Sequence, residues 1–123
     1  MDVFAAAKAG DLTALIKHVS GGGSFNSRER NGMTPLMIAV DCDQIDAVKL
    51  LLKEGVNINA KDKWGQTALM FAAKKNSING ARLLLKSRAN LNTIAGNGLT
   101  ALGYATTNAS AQMSKLLKQA GAR

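Results

Sequence analysis

Cysteine, histidine, proline and tryptophan each occur once in this 123-residue chain, and aromatic residues make up only 4% of it. Cys42 has no internal partner for a disulfide, which suits a reducing compartment. His18 alone leaves too few soft ligands for a zinc site and no second imidazole for the common nucleophile–base arrangements. Long apolar runs are missing as well, none approaching the roughly 18 residues of a membrane span. The opening MDVFAAAKAGD has an acid at position 2 and no sustained apolar stretch, unlike a secretory signal. The expectation is a cytoplasmic, non-enzymatic protein with no catalytic residues, no cofactor and no metal. Its 46% hydrophobic and 20% charged residues are values of a globular domain, and the length suits one such domain.

Carboxylates are unevenly absent. Residues 1–62 hold seven bases and all eight acids, whereas residues 63–123 hold nine bases and no acid. The formal net charge is +8. An acid-free half should attract an acidic partner, with an attraction that weakens as salt rises.

Against these absences stands a repeat. Gly32, Gly65 and Gly98 lie 33 residues apart, as do Thr34, Thr67 and Thr100, and Leu36, Leu69 and Leu102. Ala39, Ala72 and Ala105 keep the same step, as do Leu51, Leu84 and Leu117, and Asn26, Asn59 and Asn92. Ala6, Leu12, Leu15 and Gly22 fall in register with Ala39, Ile45, Val48 and Gly55, so the step divides the chain into 1–28, 29–61, 62–94 and 95–123. Within one unit the order is turn, helix, helix, loop. Asn31-Gly32 is a tight-turn dipeptide, and Thr34 can cap a helix whose first residue is Pro35. Ile45, Val48, Leu51 and Leu52 give a second helix its apolar stripe, and Gly55 supplies the left-handed residue that ends it. Arg88 stands where Gly22, Gly55 and Gly121 stand, so it is expected in the same left-handed conformation. Helices this short cannot bury their faces alone, so the units are expected to stack.

The segments GMTPLMIAVDCDQIDAVKLLLKEGVNINAK, GQTALMFAAKKNSINGARLLLKSRANLN and GLTALGYATTNASAQMSKLLKQAGA resemble the ankyrin repeat, a 33-residue turn–helix–helix unit with a T-P-L-H-x-A signature. The opening AAAKAGDLTALIKHVSGGGSFN is similar to a repeat that begins at its first helix. The resemblance covers the whole chain and implies an all-α solenoid of stacked units joined by β-turn loops, in one domain. Departures are visible: the signature histidine is replaced by Met37, Met70 and Gly103, and Pro35 has Ala68 and Ala101 as counterparts. Lys118 and His18, where other units carry leucine, are expected to be polar caps of the stack.

The family's geometry places turn tips and first-helix faces on one concave surface that grips partners. Carried over, the tips are Arg30, Asn31 and Met33; Lys63, Trp64 and Gln66; and Gly96, Asn97 and Leu99. The first-helix positions are Lys8 and Ala9; Asp41 and Cys42; Lys74 and Lys75; and Thr107 and Asn108. Trp64 either anchors a partner, as exposed tryptophans do, or packs along the neighbouring turn. Lys49, Arg82 and Lys115, with Lys53 and Lys86, form a second basic ladder, which is either a solvated outer face or a strip for phosphates or an acidic membrane. The implied function is a protein–protein interaction module, acting as adaptor, inhibitor or scaffold, that binds an acidic protein as a monomer. The alternative is an electrostatic binder of nucleic acid or anionic membrane through the basic half.

Overall fold

The computed structural model describes residues 2–123. Among them are eight α-helices and no strand: α1 (Val3–Ala9), α2 (Leu12–Ser20), α3 (Pro35–Asp41), α4 (Ile45–Lys53), α5 (Ala68–Lys75), α6 (Ile78–Lys86), α7 (Ala101–Thr107) and α8 (Ala111–Gln119). They form four antiparallel pairs that stack in chain order into an all-α helical repeat solenoid. First helices α1, α3, α5 and α7 pack in one row, second helices α2, α4, α6 and α8 in another, and each pair spans the two rows.

Local chemistry explains where the helices start. Thr34, Thr67 and Thr100 each accept a hydrogen bond through the side-chain oxygen from the N–H three residues on, and Asp2 does the same for α1. This satisfies one of the amides left free in a first turn. Asp11, Ser77 and Ser110 cap the second helices in the same way. At α4 the equivalent residue, Gln44, does not cap; its amide donates instead to the Lys8 carbonyl at 3.0 Å, tying the second pair to the first.

Both chain reversals within a unit need a left-handed residue. After the second helices these are Gly22, Gly55, Arg88 and Gly121, and Arg88 has φ +65° as its register implies. Between the paired helices the position is held by Gly10, then by Asp43, Asn76 and Ala109, each of the last three at φ +54°. Glycine suits this conformation best and asparagine and aspartate tolerate it, which leaves Ala109 as the residue of the four that fits it least.

The core lies between the rows. First helices are enclosed most fully: every residue of α5 from Ala68 to Ala73 is buried. The second helices bury a single stripe, Leu15 in α2, Val48 and Leu51 in α4, Leu84 in α6, Met113 and Leu117 in α8, each 0% exposed. Ile45 and Leu52, at the edges of the expected α4 stripe, are half-buried. His18 is half-buried and stacks on Phe25 with ring centroids 5.9 Å apart, its Nε2 lying 3.0 Å from the Ser24 carbonyl oxygen; Lys118 is exposed.

Polar ties repeat with the stack. Asn26, Asn59 and Asn92 each accept through Oδ1 from a backbone N–H of the following loop, at Asn57, Asn90 and Arg123, over 2.8–3.1 Å. The Ser77 and Ser110 hydroxyls donate to Asp43 Oδ1 and Asn76 Oδ1 of the preceding unit, both at 2.7 Å. These bonds set one unit's height against the next.

Candidate functional site

Three tight turns project at the edge of the first-helix row, spanning Glu29–Met33, Asp62–Gln66 and Ala95–Leu99. Each is closed by the N–H of its first residue donating to the carbonyl of its last, at 3.0, 2.9 and 2.8 Å. Adjacent turns are also bonded to each other: the Lys63 N–H donates to the Asn31 carbonyl at 2.8 Å, and the Gly96 N–H to the Trp64 carbonyl at 2.9 Å. The Arg28 guanidinium braces the line further by donating to the Gly32 and Lys61 carbonyls. Backbone pairing therefore holds the tip side chains at a fixed spacing.

Gly32 shows why the tips need glycine. Its φ is +80°, and a β-carbon there would stand 3.0 Å from the Lys63 nitrogen, so the second turn could not approach as closely.

The second turn is organised around Asp62, a carboxylate only 7% exposed. Its Oδ1 accepts from the Trp64 N–H at 2.9 Å and the Gln66 N–H at 2.8 Å, while Oδ2 accepts from the Gln66 amide at 3.1 Å. The other end of that amide, Gln66 Oε1, accepts from the Lys74 ammonium at 2.7 Å and the Tyr104 hydroxyl at 3.3 Å. Asn97 Nδ2 then donates to the Tyr104 oxygen at 3.0 Å. The Lys74 ammonium also lies over two aromatic faces, 5.0 Å from the Phe71 ring centre and 5.5 Å from that of Tyr104. Each such stack is worth about 0.5–1 kcal/mol. The result is a rigid polar floor.

Over this floor lies a groove of about 590 Å³ lined by Lys63, Trp64, Gly65, Gln66, Gly96, Asn97 and Tyr104. Trp64 is 52% exposed, and the Lys63 ammonium sits 5.7 Å from its ring centre. The indole thus leaves half its surface open to solvent, which differs from full packing along the neighbouring turn. Aromatic faces, two amides and the Lys63 ammonium converge here, and the Lys74 ammonium is held on Gln66 and the Tyr104 ring, two of the lining side chains.

The remaining sequence-derived positions sort differently. Met33, Asp41 and Cys42 line a separate hollow of about 370 Å³ with Phe4, Lys8 and Ile38, into which Asp2 and Glu29 also project. That hollow has mixed charge. Lys75 forms an ion pair with Asp41 across 3.7 Å, so the two candidates meet each other. Asn31 has its carbonyl engaged by Lys63 and its N–H by the Glu29 carboxylate, and Arg30 is exposed at the tip. Leu99 packs against the core. Thr107 turns its hydroxyl back to the Gly103 carbonyl, and Asn108 donates to the Lys74 carbonyl at 3.0 Å, closing α7 onto α5. Neither Tyr104 nor Asp62 is among the sequence-derived candidates. Tyr104 falls on a buried helix position and Asp62 just outside the variable tip, so only the spacing to Phe71 and Gln66 could have pointed to them.

No helix among the described residues is long and apolar enough to cross a membrane. No curated protein sequence matches the chain at a significant level. The family model for ankyrin repeats in three copies does match, over residues 3–95 and again over 55–123. With the capped helix pairs, the bonded turn tips and this match over most of its length, the chain belongs to the ankyrin-repeat family.

Proposed function

We propose that this protein is a non-enzymatic interaction module, one domain of four units at 1–28, 29–61, 62–94 and 95–123, that holds an acidic segment of another protein in the Trp64 groove. Ankyrin repeats are generally protein–protein interaction modules. The finer reading rests on one observation: a half-exposed indole above a bonded floor, with the Lys63 ammonium beside it and the Lys74 ammonium bonded to Gln66 of that floor. An apolar side chain of the partner lies on Trp64, and a neighbouring carboxylate meets Lys63 and displaces or joins Gln66 on Lys74. Because the floor is held by Asp62 and Tyr104 before any partner arrives, little ordering cost is left for binding. Such a module serves as an adaptor, inhibitor or scaffold.

The test compares partner capture and affinity for the wild-type chain, Trp64→Ala, Lys63→Glu, and the double variant Arg82→Glu/Lys115→Glu on the second helices. Trp64→Ala should weaken binding about thirtyfold and Lys63→Glu about tenfold, while the distant double reversal should cost less than about threefold. Equal losses from both faces, or full affinity without Trp64, would refute the groove.

A further inference from the structure

The second-helix row carries surface chemistry of its own. Lys49, Arg82 and Lys115 occupy equivalent positions on α4, α6 and α8, and all three are exposed. One turn on, Lys53 and Lys86 repeat the charge. Helices α6 and α8 contain no carboxylate; α4 carries Asp46, with Glu54 at its end. Between α4 and α6 a groove of about 370 Å³ gathers Lys49, Arg82 and Lys86 around Ile45, Asn79 and Leu83.

At α2 the same line turns apolar. Ile16 stands where Lys49 and Arg82 stand in later units and is 50% exposed, with Leu12 and Val19 beside it at 37% and 36%. Positions four and three residues apart share one helix face. Stacking does not cover the position of Ile16, since Lys49 and Arg82 stay exposed with a helix pair on either side. A large aliphatic side chain thus leads a row of cations on one outer surface.

Cations alone would suit any polyanion. An aliphatic cluster in line with them contributes nothing to holding phosphates in water. At an anionic bilayer the two features complement each other, because the cations meet headgroups while the aliphatic side chains enter the acyl boundary. We infer that the outer face of the second helices docks on an anionic lipid surface, with Leu12, Ile16 and Val19 entering the interface and Lys49, Arg82 and Lys86 on the headgroups. The Trp64 groove lies at the edge of the first-helix row, so a docked molecule keeps it open to a protein partner.

The experiment is co-sedimentation of the full chain with vesicles of phosphatidylserine and phosphatidylcholine in a roughly 3:7 ratio, against phosphatidylcholine alone and a short DNA duplex, at about 0.1 M salt. Binding is expected to the anionic vesicles and not to the neutral ones. Lys49→Gln/Arg82→Gln should weaken it about 25-fold, at about fivefold per charge. Ile16→Ser should weaken vesicle binding about threefold or more and leave any duplex binding unchanged. Insertion is read separately, in a Trp64→Phe background, by the emission of Ile16→Trp, which should shift to the blue on anionic vesicles. Absence of vesicle binding, an Ile16→Ser variant that binds as the wild type does, or an unshifted Ile16→Trp emission would overturn the inference. So would duplex binding that is tighter than vesicle binding and insensitive to Ile16. None of these outcomes bears on Trp64→Ala, so this face and the groove stand or fall separately.

Discussion

Replacing Ala109 with glycine should stabilise the fold, although it removes a methyl group and adds freedom to the unfolded chain. Ala109 sits at φ +54° between α7 and α8 and is exposed. Holding a residue with a β-carbon in the left-handed region costs about 1–2 kcal/mol. Glycine removes that strain and gives back about 0.5–1 kcal/mol through unfolded-state entropy, for a net gain of about 0.5–1 kcal/mol. For 123 residues the unfolding entropy is about 0.26 kcal/mol/K, so the melting temperature should rise by about 2–4 °C. Arg88→Gly should give a similar rise, since Arg88 is exposed at φ +65° and its side chain has no hydrogen-bond partner among the described residues. Asp43→Gly is the control. Asp43 shares the φ of Ala109, but its carboxylate accepts the Ser77 hydroxyl at 2.7 Å. Losing that bond costs about 1 kcal/mol, which cancels the relief. Thermal unfolding followed by circular dichroism at 222 nm, the usual helix signal, measures all three. A lower melting temperature for Ala109→Gly, or equal gains for Ala109→Gly and Asp43→Gly, would refute the strain argument.

Two further substitutions probe the turns. Gly32→Ala should destabilise by about 1–3 kcal/mol in urea unfolding, because it combines a left-handed φ of +80° with a β-carbon 3.0 Å from the Lys63 nitrogen; an unchanged midpoint would mean that the turns part freely. Asp62→Ala should cost about 2–3 kcal/mol and lower the fluorescence anisotropy of Trp64, since it frees the Trp64 and Gln66 amides together. A loss below about 0.5 kcal/mol with unaltered anisotropy would show that the turn holds without its carboxylate.

The sequence by itself determined the architecture, because the signals that build each unit are local. Thr34, Thr67 and Thr100 cap the helices that begin next to them, and Gly22, Gly55 and Gly121 announce the left-handed ends, which is why Arg88 could be placed by register alone. The shared left-handed state of Asp43, Asn76 and Ala109 gave only a weak signal, since three different residues hold it and alanine does not favour it. Tertiary structure decided the site. Lys74 and Lys75 read alike as adjacent cations awaiting carboxylates. Stacking brings the Tyr104 ring to the Lys74 ammonium, which already meets Phe71 and Gln66 of its own unit, and pairs Lys75 with Asp41 of the preceding unit. Which cation is cradled and which is paired depends on side chains about 30 residues away brought level by the stack, such as Tyr104 and Asp41. A local pattern fixes where a residue stands in its unit, but the neighbouring unit's side chains decide the contacts that separate Lys74 from Lys75.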